Sequence, residues 1–244
     1  MIDSLAFYCF TYPYGIISGN IILFLRIFGV VIIKNINRLP RWQKNMVIMP
    51  NHPSMLEPFI IPPALFFNEY LINPKKFGPI STPDIKNFGN WFFIKPWAIP
   101  IDRTEKGNVR KTLLQMIDSL KQGKRIIIFP EGGRTTGKTV NAGKFIYSSN
   151  GNKIKKLQAG ISFLIQRANP VVLPVWISGT DKVLLNRKDE TNHLTIMQKI
   201  IYFLPRFWRK IEIKVGNPFR ISPLLNRKEI MELLTEKMIQ LSDE

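Results

Sequence analysis

Cysteine and histidine are what this chain has least of. Cys9 stands alone, so no disulfide can form within the chain and no cysteine-rich metal site can be built. His52 and His193 are the only histidines, too few for a multi-histidine centre, and metal-free chemistry is expected. Acidic residues are also scarce: 17 Asp and Glu face 35 Lys and Arg, a formal net charge of +18. That excess calls for an anionic partner, either nucleic acid or anionic lipid. No helix-turn-helix or zinc-finger spacing occurs, and the basic residues are scattered among apolar and aromatic neighbours. Both facts favour a membrane phospholipid surface and argue for no nucleic-acid partner. Internal repeats and low-complexity tracts are missing too, and a hydrophobic content of 45% excludes a disordered chain.

What is present divides in two. Residues 1–40 form an amino-terminal segment expected to be helical and membrane-anchoring, and residues 41–244 are expected to form one catalytic domain. Leu5 to Ile33 is overwhelmingly apolar, interrupted by Pro13, Gly15, Gly19, Asn20 and a single charge, Arg26. No basic stretch precedes it and no small-residue cleavage site follows, so the pattern is not that of a secretory signal and the segment is expected to persist. One tilted transmembrane helix would place Arg26 in the bilayer, at a penalty of roughly 2.5–3.5 kcal/mol. A pair of helices broken near Pro13 to Gly19 and lying in the interface would leave Arg26 among the headgroups, and is the favoured expectation. A buried core hairpin is the plain structural alternative. Lys34, Arg38, Arg41 and Lys44 follow at once, which predicts that the domain sits on the cytoplasmic face.

After Pro40 short apolar runs alternate with helical stretches, the pattern of an α/β domain with a central, mostly apolar sheet flanked by helices. Strands are predicted at Met46 to Met49, Ala98 to Ile101, Arg125 to Phe129, Val171 to Ile177 and Ile211 to Val215. Helices are predicted at Thr104 to Gln122, Leu157 to Arg167 and Ser222 to Leu241, the last with Ser222 as N-cap and Pro223 at the first position. Lys182 to Trp208 mixes aromatics with cations, which suits either a second headgroup contact or an ordinary packed helix.

Polar residues gather where the predicted strands end, the usual place for catalytic groups in an α/β sheet. Met46 to Met49 runs into Pro50-Asn51-His52-Pro53-Ser54-Met55-Leu56-Glu57. A carboxylate five residues after a histidine can fix the imidazole tautomer and stabilise the imidazolium formed on proton uptake. No supporting motif makes Ser54 a nucleophile, so the attacking hydroxyl is expected to belong to the substrate. The strand Arg125 to Phe129 leads into Pro130-Glu131-Gly132-Gly133-Arg134-Thr135, where glycines admit an anion to the backbone and an arginine can clamp a phosphate. A plain turn would read the same way. Ile99-Pro100-Ile101-Asp102-Arg103 offers a second such arginine, or a surface ion pair of little weight. Pro174, inside Val172 to Trp176, suggests an edge strand or a bulge that shapes a substrate pocket.

These motifs, in this order and at these separations, resemble the 1-acylglycerol-3-phosphate acyltransferase family, part of the wider glycerolipid acyltransferases, from about Leu25 to Val215. The first family motif, asparagine-histidine, four residues and aspartate, is matched by Asn51 and His52 with Glu57 in place of the aspartate. Ile101 to Arg103 resembles the family's next motif, an arginine after an apolar strand. Phe129 to Arg134 resembles the third, with Gly133 replacing the commoner threonine, and Val172 to Val175 resembles the fourth. The resemblance implies transfer of a fatty acyl chain from a thioester to the free hydroxyl of a lysophospholipid, foremost 1-acylglycerol 3-phosphate to give phosphatidate. Another lysolipid or glycerol 3-phosphate is the alternative acceptor. It implies His52 as general base oriented by Glu57, Arg103 and Arg134 on the acceptor phosphate, and Glu131 with the amides around Gly132 shaping a turn that can steady an oxyanion. No covalent acyl-enzyme and no cofactor are needed, and the co-substrate is acyl-CoA or an acyl carrier protein. A thioester hydrolase would not need two phosphate-clamping arginines. A basic membrane-binding module without catalysis would leave the strand-end motifs unexplained.

Overall fold

Strands buried on both faces must be apolar throughout, and the segments that meet this condition build the middle of the sheet, with half-buried strands beside them. The computed structural model describes residues 4–85, 97–102, 106–133, 135, 145–183, 206 and 209–244. Its strands are β1 (Val31–Lys34), β2 (Met46–Pro50), β3 (Arg125–Ile127), β4 (Phe145–Tyr147), β5 (Lys153–Lys155), β6 (Val171–Ser178) and β7 (Ile211–Val215). Five of them form one sheet in the order β1-β7-β6-β2-β3, parallel except between β6 and β7, while β4 and β5 form a separate antiparallel hairpin. The principal helices are α1 (Tyr12–Ile27), α2 (Glu57–Ile72), α3 (Lys106–Lys121), α4 (Gly160–Ala168) and α5 (Arg227–Asp243).

Alternation along the strands divides the core into two layers. Val47, Met49, Ile126 and Val172 face Leu120, Leu164 and Leu234 from α3, α4 and α5. Met46, Ile48, Ile127 and Leu173 face Ile22, Ile61 and Leu65 from α1 and α2. The expected α/β architecture is therefore a helix–sheet–helix sandwich. Its sheet takes in β1, which continues the amino-terminal apolar run directly.

The amino-terminal segment is one continuous helical run, not a pair broken near Pro13 to Gly19. A short turn at Ser4–Ala6 passes into a π turn at Phe7–Thr11 and then into α1. Tyr12 donates to the Phe7 carbonyl five residues back, and this widened turn stands next to Pro13, which has no N–H to place. The two glycines are contact points: a Cβ at Gly15 would lie 2.4 Å from the Tyr70 ring, and one at Gly19 would lie 2.0 Å from the Phe67 ring. They let α1 lie directly on α2. The opposite side of the run stays bare, with Ile17, Ile21, Phe24 and Phe28 exposed. Phe7–Ile27 is long and apolar enough to cross a membrane.

Three other expectations change. Ala98 to Ile101 makes only isolated bridges to Ser81 and Asp84, because Pro100 has no donor to continue a ladder. Helix α5 starts at Arg227, not after Ser222: Asn226 accepts from the Glu229 N–H at 3.0 Å and its own N–H donates to the Glu229 carboxylate at 2.8 Å. This reciprocal box satisfies two end donors, whereas Ser222 opens a turn, its hydroxyl oxygen accepting the Leu224 N–H at 3.3 Å and its carbonyl the Leu225 N–H at 3.2 Å. Pro174 lies in β6 between β2 and β7, not at an edge. Gly216 N–H donates to the Pro174 carbonyl, and Phe219 rather than Pro218 then exchanges bonds with Val172, so the absent N–H of Pro174 falls at a bulge in the neighbouring chain, the other of the two expected settings.

Beneath this sheet edge Arg125 is fully buried and forks onto Glu69 with two 3.0 Å bonds, flanked by the Phe66 and Phe77 rings. Its Nε donates to the Gln43 carbonyl at 2.7 Å. The pair ties the start of β3 to the end of α2.

Candidate active site

The site is built where β2 ends between β3 and β6. Asn51 follows the strand, and its side chain replaces the ladder: Oδ1 accepts from the Ile177 N–H at 2.7 Å and Nδ2 donates to the Ile177 carbonyl at 2.9 Å. The next residue, His52, has its Nδ1 2.8 Å from Glu57 Oε2. Its ring stacks on Phe129 at a centroid distance of 4.3 Å. The side chain is 17% exposed, while that of Glu57 is wholly buried.

Glu57 opens α2, where the helix dipole favours a negative charge. Its carboxylate turns back to accept the Ser54 N–H at 3.0 and 3.1 Å and the Ser54 hydroxyl at 2.8 Å. The Thr180 hydroxyl donates to Oε1 at 2.5 Å. Oε1 is thus occupied by hydroxyls and Oε2 is turned to the imidazole, so the longer glutamate closes the dyad. Ser54 is committed to Glu57, which agrees with its exclusion as a nucleophile. Thr180 was not visible from local spacing. Its only sequence signal is the Gly179-Thr180 pair beyond β6, where Gly179 holds φ +86° and a Cβ would lie 2.2 Å from the Lys210 carbonyl oxygen.

The third motif holds the backbone of His52. Glu131 Oε1 accepts the His52 N–H at 2.7 Å, and Oε2 accepts the Thr135 hydroxyl at 2.6 Å and the Lys155 N–H at 3.1 Å. Thr135 N–H donates to the His52 carbonyl at 2.8 Å. Burial pushes the Glu131 pKa above the ordinary carboxylate value, opposed by these donors. Gly132, at φ +68°, donates its N–H to the Phe129 carbonyl at 3.2 Å in a tight turn, and a Cβ there would meet Gln158 at 2.7 Å. Of the other predicted residues, Arg103 and Arg134 lie outside the described residues, as does His193. Asp102 accepts from Asn108 at 2.8 Å. Pro174 is not among the residues lining the cavity beside His52.

That cavity has a volume of about 320 Å3. From His52, Phe129 and Gly133 it runs past Phe59 to Gly15 and Tyr70, between α1 and α2. A long apolar chain lying in it would present its head to His52.

The fold and site together define an α/β enzyme in which a histidine–carboxylate pair at a strand end opens onto an apolar cavity. Residues 30–178 match the family model described as Acyltransferase, and the chain belongs to that family. It is an acyltransferase. Its fold is similar to that in the crystal structure of the 1-acyl-sn-glycerophosphate (LPA) acyltransferase, PlsC, from Thermotoga maritima, with a TM-score of 0.58 and 16% sequence identity. The match covers 95% of this chain and 78% of that one.

Proposed function

We propose that this acyltransferase moves a fatty acyl chain from a thioester to the free hydroxyl of a lysophospholipid, foremost 1-acylglycerol 3-phosphate, with His52 as general base. The observation that carries the reading is the 2.8 Å contact of His52 Nδ1 with a buried Glu57 carboxylate beside the apolar cavity. A carboxylate at Nδ1 holds the proton there and leaves Nε2 unprotonated to receive the acceptor's hydroxyl proton. As that proton transfers, the alkoxide oxygen attacks the thioester carbonyl, and Glu57 stabilises the imidazolium. Collapse of the tetrahedral intermediate breaks the C–S bond and expels a thiolate, which needs little acid help because a thiol is far more acidic than an alcohol. The imidazolium then gives up its proton and the base is restored.

The Gly132 amide is engaged by Phe129, so Gly133, on the cavity wall, is the better candidate to face the oxyanion. Arg103 and Arg134 are proposed to hold the acceptor phosphate, and acyl-CoA or acyl carrier protein to supply the thioester. The docking of α1 along α2, with Ile17, Ile21, Phe24 and Phe28 bare, supports a helix lying in the interface of a membrane, and Lys34, Arg38, Arg41 and Lys44 after it favour the cytoplasmic side for the domain.

Acyl transfer from a labelled thioester to lysophosphatidate, glycerol 3-phosphate and lysophosphatidylcholine, compared side by side, tests the substrate. Transfer chiefly to lysophosphatidate is expected. Preference for another acceptor would refute that choice, and thioester loss without any acylated lipid would refute acyl transfer to a lipid hydroxyl altogether.

A further inference from the structure

At the opposite end of β2 and β3 from His52, Lys44, Lys75, Lys76 and Lys124 line a pocket of about 200 Å3, completed on its walls by Asn73 and Gln122. No Asp or Glu lines it, and none of these lysines pairs with a carboxylate among the described residues. Three of the cations are held against aromatic surface, Lys76 with its ammonium 5.1 Å from the Phe77 ring centroid. The Lys124 ammonium donates to the Lys75 carbonyl at 2.5 Å and lies 5.2 Å from the Trp97 ring centroid. The Lys75 ammonium lies 4.5 Å from the Tyr8 ring centroid and 5.7 Å from that of Phe7. Burial first, and then the Lys75 charge, lower the Lys124 pKa. Cations gathered without a counter-charge repel one another and lose hydration, and a bound anion relieves both effects.

Exposed apolar residues neighbour the lysines in space at Tyr8, which the Lys75 ammonium approaches, and in the chain before Asn73. Tyr8, with Leu5 and Phe10 beside it on the amino-terminal helical run, is exposed, and so are Leu71 and Ile72 immediately before Asn73. A small soluble anion has no use for such neighbours, whereas a lipid has a phosphate for the lysines and chains for the exposed apolar residues. We propose that this pocket binds the phosphate group of an anionic phospholipid, as a second lipid contact separate from the acceptor site at His52. The proposal rests on the membrane placement given above and adds to it a lipid preference located in one lysine cluster.

The test is binding of the full-length protein to phosphatidylcholine vesicles with and without phosphatidylglycerol. Lys75→Gln/Lys124→Gln is compared with Lys228→Gln/Lys237→Gln, which removes the same charge from α5. At about fivefold per lysine near an anionic surface, the pocket variant should lose roughly 25-fold of the phosphatidylglycerol-dependent binding. The α5 variant should lose far less, and binding to phosphatidylcholine alone should not change. Lys44→Gln/Lys76→Gln, at exposed positions of the same pocket, should show a loss in the same direction without a change in Tm. Equal losses in the pocket and α5 variants would overturn the proposal in favour of diffuse attraction. If the pocket variants weakened binding of inorganic phosphate but left vesicle binding intact, the ligand would be a free phosphate and not a lipid. Failure of the unaltered protein to bind either vesicle would overturn the membrane placement as well, whereas binding to both without a phosphatidylglycerol preference would overturn the lysine site alone.

Discussion

Asn51 and Ile177 are joined by two hydrogen bonds, of 2.7 and 2.9 Å, from one side-chain amide to both backbone groups of one residue. The residue before the proposed base is thereby fixed to β6. Asn51→Asp keeps the acceptor but loses the donor and sets a carboxylate against the Ile177 carbonyl. It should lower stability by about 1–3 kcal/mol and acyl transfer with it, whereas a purely surface residue would show neither effect. Thermal unfolding and turnover of the same variant check this together.

The Thr180 hydroxyl holds the oxygen of Glu57 that does not face His52. Thr180→Val should reduce kcat by roughly 10- to 100-fold, the weight of one lost hydrogen bond to a buried charge, with little change in KM. Thr180→Ser restores the donor and should recover most of the rate. A valine variant that matched the wild-type kcat would show that Glu57 is positioned without it.

Glu131 gathers three donors in a buried place, and glutamine cannot accept from all of them. Glu131→Gln should cost about 1–3 kcal/mol of stability. The pH dependence has a definite sign. Because burial raises the carboxyl's pKa on folding, the folded state holds its proton more tightly, and stability falls as pH climbs from the ordinary carboxylate range through the raised value. Chemical denaturation across acidic pH should show that slope in the wild type and its loss in the glutamine variant.

Gly15 forms part of the cavity wall and touches Tyr70, so a side chain there must displace the ring or intrude on the cavity. Gly15→Val should cut kcat/KM for long acyl donors more than for short ones. A donor series of increasing chain length reads the effect directly, and a uniform loss across the series would place the acyl chain elsewhere.

Much of this was legible in the sequence because β2, β3 and β6 are short, nearly unbroken apolar runs, the form a doubly buried strand requires, and β7 alternates apolar with charged residues, as a half-buried strand does. The pairing of His52 with Glu57 was legible because only five positions separate them, across the short connection from β2 to the first residue of α2. Thr180 was not, since it meets Glu57 across 123 positions of chain and nothing local marks it. Gly15 and Gly19 suggested a break because glycine and proline punctuate local structure, yet tertiary contact decides their role: rings from α2 occupy the space their side chains would fill. β1 was hidden for the opposite reason, since Val31 to Ile33 continues the helix's apolar run with no change in composition to announce a strand.

The measurement closest to the central claim is acyl transfer from a labelled thioester to lysophosphatidate by purified wild-type protein and by His52→Ala, at matched folding and membrane binding. Loss of general-base catalysis predicts a fall in kcat of roughly 100- to 10,000-fold with vesicle association unchanged. Transfer by His52→Ala at near the wild-type rate would contradict the account, because the proton of the acceptor hydroxyl would then be leaving by another route.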